Sequence, residues 1–358
     1  MSELPGDGES LDDYDFDLPE ELIALRPLKP RPASRLLVAQ GAEAPPVDSE
    51  MRALPEWLSP GDLLVFNDTR VIPARLFGER RREGTPGESV AQIEITLARR
   101  LGPDAWQALA RPAKRLAPGD SLCFGALAAE VTGRNGALVT LRFVPAGEAL
   151  DAAIWREGVM PLPPYIARRR PADAQDRHDY QPVLARRTGA IAAPTASLHF
   201  DESLLAALQA KGIRRSLLTL HVGIGTFQPV TAERIDDHKM QAEWGEIRPE
   251  TAAEINATRD AGGRVIAVGT TVLRLLESAV DEAGRLHPFA GETDLFIRPG
   301  FQFRAVDGLI TNFHLPRSTL LMLVSALMGR ERMAALYAHA VRARYRFFSY
   351  GDGSLLIP

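Results

Sequence analysis

The sequence predicts an α/β protein of about two domains. A large layered or barrel-like α/β domain is built from both ends of the chain, and a small all-β module interrupts it. Three observations predict this. The chain has 358 residues, more than one ordinary compact core holds. Helical and strand-like patterns alternate through its second half. Between about residues 71 and 145 convincing helices disappear, and short alternating runs follow one another at regular spacing.

Before the module, Asp17-Leu18-Pro19-Glu20-Glu21 reads as a helix start and residues 35–38 as a strand. Residues 48–58 read as a short helix, and Leu63-Leu64-Val65-Phe66 as a buried strand that ends in Asn67-Asp68-Thr69-Arg70. Inside the module, Ile93, Ile95 and Leu97 fall on one face of an alternating run. Residues 106–110, 121–124, 128–132 and 137–143 are strand-like, and Asn135-Gly136 is a strong hairpin signal. The insertion is therefore bounded as 71–145, with 1–70 and 146–358 forming the α/β domain. Beyond it, helices are expected over 147–156, 203–210, 251–260, 272–280, 316–328 and 331–344. Strands are expected over 215–222, 264–268, 294–297 and 308–311.

Composition bounds the function. Apolar residues at 45% and charged residues at 25% give the profile of a globular protein in water. Cys123 is the only cysteine, so no internal disulfide forms, which fits a reducing cytoplasm. The N-terminus is acidic where a secretory signal would be basic, and the apolar run 320–328 is too short to span a bilayer. A net charge of −4 argues against a general nucleic-acid coat but leaves room for local basic patches. Arg80-Arg81-Arg82, Arg168-Arg169-Arg170, and Arg342 with Arg344 and Arg346 are such runs.

Four segments set small residues beside polar ones: 192–200, 221–226, 269–274 and 294–314. In Ala192-Ala193-Pro194-Thr195-Ala196-Ser197-Leu198-His199-Phe200, Thr195 and His199 share a face if a helical turn begins at Pro194. Gly269-Thr270-Thr271 follows a strand and opens a helix, so its amides and hydroxyls suit a carboxylate or phosphate; helix capping is the alternative. His199, His221, His238 and His314 lack zinc-helix spacing, and a metal site is not expected. Asn67 and Asp68 close a strand, where α/β proteins place ligands or make a simple turn.

The order of these segments resembles the S-adenosylmethionine:tRNA ribosyltransferase-isomerase family of queuosine biosynthesis. The resemblance runs from Asp15-Phe16-Asp17-Leu18-Pro19 to Phe348-Ser349-Tyr350-Gly351-Asp352. It is most specific at Phe66-Asn67-Asp68-Thr69-Arg70-Val71-Ile72-Pro73-Ala74-Arg75, Met160-Pro161-Leu162-Pro163-Pro164-Tyr165 and Gly189 to Phe200. Leu220-His221-Val222-Gly223-Ile224-Gly225-Thr226-Phe227, Gly269-Thr270-Thr271 and Thr311-Asn312-Phe313-His314-Leu315-Pro316 complete it. Three positions depart from the family pattern. Ser197 stands for a usual Gly, Gln241 for a usual second His, and Gly353-Ser354 for Ala-Met.

The resemblance implies a large α/β barrel-like domain with an inserted small β-barrel. It implies transfer and isomerisation of the ribosyl moiety of S-adenosylmethionine onto the aminomethyl group of 7-aminomethyl-7-deazaguanine in tRNA, with adenine and methionine released and epoxyqueuosine-tRNA formed. It implies S-adenosylmethionine as a substrate, no bound cofactor, and a monomeric cytoplasmic transferase without a membrane. His199, His221 and His314 are then the candidate proton-transfer groups, with Asp294 or Glu243 near the sulfonium. Asn67, Asp68, Thr195, Thr226, Gly269, Thr270, Thr271 and Asn312 are candidate substrate contacts. Arg168, Arg169 and Arg170 are candidate tRNA contacts. An S-adenosylmethionine-dependent tRNA methyltransferase and a non-catalytic RNA-binding protein are the rival readings.

Overall fold

A computed structural model describes residues 10–41, 43–84, 87–227 and 235–358. The chain divides into two compact units, one of residues 1–69, 181–187 and 193–358 and the other of 70–180 and 188–192.

Runs of Leu, Val and Ile form the centre of the first unit. Leu63–Asn67, Val265–Val268 and Gly308–Asn312 are buried at every position, as strands covered on both faces must be. They belong to a nine-stranded sheet. Its order is Phe289–Thr293, Glu243–Ile247, Arg214–Leu220, Leu63–Asn67, Val265–Val268, Gly308–Asn312, Gly353–Ile357, Arg35–Gln40 and Val47–Glu50. The four strands from Arg214–Leu220 to Gly308–Asn312 are mutually parallel. This sheet runs from edge to edge, which is the layered form of the expected α/β domain.

On one side, Leu204, Leu205 and Leu208 of the helix Glu202–Ala210 join Leu64, Phe66, Ile266 and Ile310 in one apolar cluster. That helix begins where the Asp201 carboxylate accepts the Leu204 amide at 2.9 Å. The helices Pro249–Asp260 and Thr270–Ser278 also pack on the central strands. Among the described residues no helix is long and apolar enough to cross a membrane.

The second unit holds a closed antiparallel barrel of six strands. Around it run Leu138–Val144, Ala105–Arg111, Gly87–Arg100, Arg75–Gly84, Ser121–Phe124 and Leu127–Asn135. Alternation turns Leu76, Ile93, Ile95, Leu97, Val131 and Leu141 into its interior. Gly136 has φ of 61° in the Asn135-Gly136 hairpin. At Gly78 a Cβ would lie 2.0 Å from the Cys123 carbonyl oxygen, so only glycine lets those strands approach.

This unit continues past residue 145 to 180. Arg75 and Val159 exchange backbone hydrogen bonds, and Arg177 donates to the Trp155 and Gly158 carbonyls at 2.7 and 2.8 Å. Those bonds group the helix Gly147–Glu157 and the Pro-rich stretch after it with the barrel.

Several elements differ from expectation. The helix expected from Asp17 is a single turn, Glu20–Leu22, because Arg26-Pro27 stops the run too early. Residues 47–50 pair with Arg35–Gln40 as an edge strand before the short helix Leu54–Trp57 begins. Residues 294–297 are irregular, whereas Glu243–Ile247, Phe289–Thr293 and Gly353–Ile357 are strands that the pattern did not announce.

Candidate active site at one edge of the sheet

The carboxyl ends of the four parallel strands are neighbours, and each leads into a segment that small and polar residues mark. Leu63–Asn67 leads into Asp68 and Thr69, Arg214–Leu220 into His221, Val265–Val268 into Gly269, and Gly308–Asn312 into Phe313 and His314. The flanking antiparallel strands bring two carboxylates to the same edge. Glu243 is paired with Thr293, so Asp294 leaves the sheet where Glu243 enters it. This is where open α/β sheets bind ligands.

Asn67 and Asp68 hold this edge together. The Asn67 amide donates to the Leu220 carbonyl at 2.8 Å, and its oxygen accepts the Leu220 and Thr69 amides at 3.0 and 3.1 Å. Asp68 accepts the Thr219 hydroxyl at 2.6 Å. Both side chains are buried, so they fix the end of the neighbouring strand and thereby aim His221.

His221 is half-buried. Its Nδ1 lies 2.7 Å from the Thr69 hydroxyl, and its ring stacks on Trp244 with centroids 5.4 Å apart and planes at 21°. The Arg187 guanidinium is 5.7 Å from the Trp244 ring and pairs with Glu246. Burial, and then the Arg187 charge, lower the imidazole pKa below its ordinary value, and Asp68 opposes them. Nε2 has no hydrogen-bond partner among the described residues. The arrangement is a neutral, oriented imidazole with one nitrogen free to take a proton.

His199 differs. It ends the turn Thr195–His199, and both ring nitrogens are occupied. Ser34 Oγ is 2.8 Å from Nδ1 and donates to the Arg31 carbonyl, so it accepts from Nδ1–H. Asn312 Nδ2 donates to Nε2 at 3.1 Å and to the Phe348 carbonyl at 3.0 Å. Burial, with help from Arg346 and Arg31, pushes the pKa down to about 3. A Cβ on Gly353 would lie 3.5 Å from Nε2, in ordinary van der Waals contact with the ring.

His314 is also buried. Its Nε2 is 3.1 Å from the Thr311 hydroxyl, its amide donates to the Tyr337 hydroxyl at 2.8 Å, and burial pushes its pKa down to about 3.

Glu243 is engaged as well. Arg274 Nη1 donates to it at 2.8 Å and the Gly223 amide at 2.9 Å, while Arg274 Nε donates to the Leu295 carbonyl at 2.9 Å. These bonds strap the His221–Phe227 loop, the helix Thr270–Ser278 and residue 295 together. Asp294 is exposed and has no partner among the described residues.

Gly269 has φ of 101°, donates its amide to the Ile310 carbonyl at 2.8 Å, and sits against Ala196. Only glycine adopts that angle without strain, and it lets the helix start directly at Thr270. Thr270 is buried, Thr195 half-buried and Thr226 exposed. Four buried polar atoms on these segments have no hydrogen-bond partner among the described residues: Ser197 Oγ, Thr271 Oγ1, Arg274 Nη2 and Asn312 Oδ1. Each such atom costs about 1–3 kcal/mol unless something polar meets it. Among the described residues no group of three His, Cys, Asp or Glu side chains converges on a metal-sized point.

The arginine triplet is divided. Arg170 forms a bidentate pair with buried Asp176 at 2.6 and 2.8 Å, whereas Arg168 and Arg169 are exposed. Trp244, Arg187, Thr69, Ser34 and Arg274 were not among the expected site residues. Two of them carried a signal: Arg274, one turn after Thr270 on the same helix face, and Thr69, within the Asn67-Asp68-Thr69-Arg70 strand end.

Together these features describe an α/β protein with a candidate active site across the carboxyl ends of its parallel strands. A family model described as Queuosine biosynthesis protein matches residues 11–356. The chain belongs to that family. It is 58% identical over 349 residues to an S-adenosylmethionine:tRNA ribosyltransferase-isomerase of Ruegeria sp. (strain TM1040), covering 97% of this chain and 99% of that one. A protein of the same name from Parvibaculum lavamentivorans is 59% identical over 346 residues, covering 96% and 98%. The crystal structure of an S-adenosylmethionine tRNA ribosyltransferase from Thermotoga maritima matches with a TM-score of 0.54 at 36% identity, covering 96% of this chain and 99% of that chain.

Proposed function

We infer that this chain is an S-adenosylmethionine:tRNA ribosyltransferase-isomerase, a transferase of queuosine biosynthesis. It moves the ribosyl group of S-adenosylmethionine onto the aminomethyl group of a 7-deazaguanine in tRNA and releases adenine and methionine. The observation that carries this reading is the gathering of polar groups from across positions 67 to 314 at one sheet edge.

The chemistry assigns their work. The sulfonium acidifies the ribose C5′–H, and a neutral base must take that proton. His221 suits this step, because its Nε2 is free and its pKa is lowered, so it stays unprotonated near neutral pH. Asp294, exposed at the same edge, is the carboxylate for the sulfonium; Glu243 is already neutralised by Arg274. Thr270 and Thr271 offer amides and hydroxyls at a helix start to the methionine carboxylate. His199 and His314 support the edge as buried neutral rings. S-adenosylmethionine is consumed as a substrate, and no step calls on a resident metal or cofactor. The working unit in this reading is a monomer. Its tRNA substrate sets the work in the cytoplasm.

The test is incubation with S-adenosylmethionine and tRNA bearing the aminomethyl base. Free adenine and a nucleoside heavier by the ribosyl-derived group are the expected products. S-adenosylhomocysteine with a methylated nucleoside, or bound RNA without any product, would replace this reading with one of its rivals.

A further inference from the structure

Charge is unevenly divided between the two units. Residues 70–180 and 188–192 carry 17 Lys and Arg against 13 Asp and Glu, a net of +4. The rest of the chain carries 25 against 33, a net of −8.

Several surface arginines of the barrel unit are neutralised one by one. Arg75 pairs with Glu94, Arg82 with Asp120, Arg100 with Asp151, Arg142 with Asp104, and Arg156 with Glu157. One group is not. Arg111, Lys114, Arg115 and Arg134 are all exposed, and none has a carboxylate partner among the described residues.

They are neighbours. Arg111 ends its strand, and the turn Ala113–Arg115 follows within two residues. The Arg134 guanidinium reaches the Leu116 carbonyl at 3.3 Å, and buried Arg80 reaches the Arg115 carbonyl at 3.3 Å from beneath. Buried Leu116 anchors the turn. The acids nearest in register are occupied: Glu94, opposite Arg111, is held by Arg75 at 2.7 Å, and Asp120 by Arg82. Four like charges gathered without counter-charges repel one another and disfavour the compact state. A polyanion removes that cost.

We propose that Arg111, Lys114, Arg115 and Arg134 form a phosphate-binding surface for the tRNA backbone. The choice of RNA rests on the function proposed above. Phosphate contacts position a nucleic acid without reading its bases, so this surface binds tRNA whether or not the modified base is present.

The test titrates unmodified tRNA at several salt concentrations. It compares wild type, the variant R111Q/K114Q/R115Q/R134Q, and the control R142Q/R156Q, which removes arginines that already have partners. Thermal melting checks that each barrel is folded. The fourfold variant is expected to weaken binding at low salt by tenfold or more. It should also lower the slope of log K against log salt by about three, at roughly 0.7–0.9 per lost phosphate contact. The control should change both little. A fourfold variant with the wild-type slope, or with a loss per charge no larger than the control's, overturns the proposal. So does a folded wild type that does not bind tRNA. Because unmodified tRNA gives no product, this result is independent of whether adenine is released from the modified substrate.

Discussion

His221 and His199 belong to the same edge of the same sheet, yet their surroundings are opposite. His221 stands on the side of Arg214–Leu220, with one nitrogen on Thr69, a stacked indole and Nε2 free. His199 stands on the side of Gly308–Asn312, with Ser34 on one nitrogen and Asn312 on the other. Both are kept neutral, His199 by complete burial and His221 by partial burial beside Arg187. A free nitrogen can exchange protons with a substrate; an occupied one specifies packing.

The sharpest way to break this comparison is to exchange the effects. His221→Asn should lower kcat by about 10²–10⁴-fold, the usual share of a general base, with the melting temperature nearly unchanged. His199→Ala should do the reverse. It leaves a cavity and strands the partners Ser34 and Asn312, so about 3 kcal/mol of stability is lost in denaturant titration. Activity per folded molecule should stay within a few-fold. If the two variants trade places, the roles are reversed.

Acid sharpens it further. The unfolded chain protonates His199 and His314 near pH 6.5, whereas the folded chain refuses those protons until about pH 3. Stability is therefore full above pH 6.5 and falls as pH drops towards 3, by about 1.4 kcal/mol per pH unit for each ring. His199→Asn should flatten that decline relative to wild type, measured by denaturant titration from pH 7 to 4. His221→Asn should flatten it less. The smallest effect concerns Arg187. Its charge lowers the His221 pKa, so Arg187→Gln should raise it and move the acid limb of kcat/KM to higher pH. An unmoved limb would separate His221 from the titration that controls the rate.

Strand ends were legible in the sequence where small residues meet polar ones. Gly269-Thr270-Thr271 and Thr311-Asn312-Phe313-His314 announced themselves, because a turn that must let a ligand or backbone approach needs such residues. The barrel was legible through alternation and through Asn135-Gly136. The difference between the histidines was not. It depends on Ser34 and Asn312 lying against one ring, 165 and 113 positions away, and no local pattern carries that contact. The strands Glu243–Ile247 and Gly353–Ile357 were missed for a similar reason. Each is short, and what makes it a strand is its partners, Arg214–Leu220 for one and Arg35–Gln40 with Gly308–Asn312 for the other.

The central strand Leu63–Asn67 has a consequence for synthesis. Its neighbours are Arg214–Leu220 and Val265–Val268, so it leaves the ribosome long before either exists. At about 5–20 residues per second, this apolar strand waits roughly ten seconds or more for a partner. The barrel strands between residues 75 and 144 are made during that wait, and they close a barrel with one another. A nascent chain stalled near residue 200 thus carries a barrel whose strands are all present beside a core strand with no mate. Such a chain leaves both sides of that strand unpaired and lacks the candidate edge, whose last histidine, His314, has not yet been made.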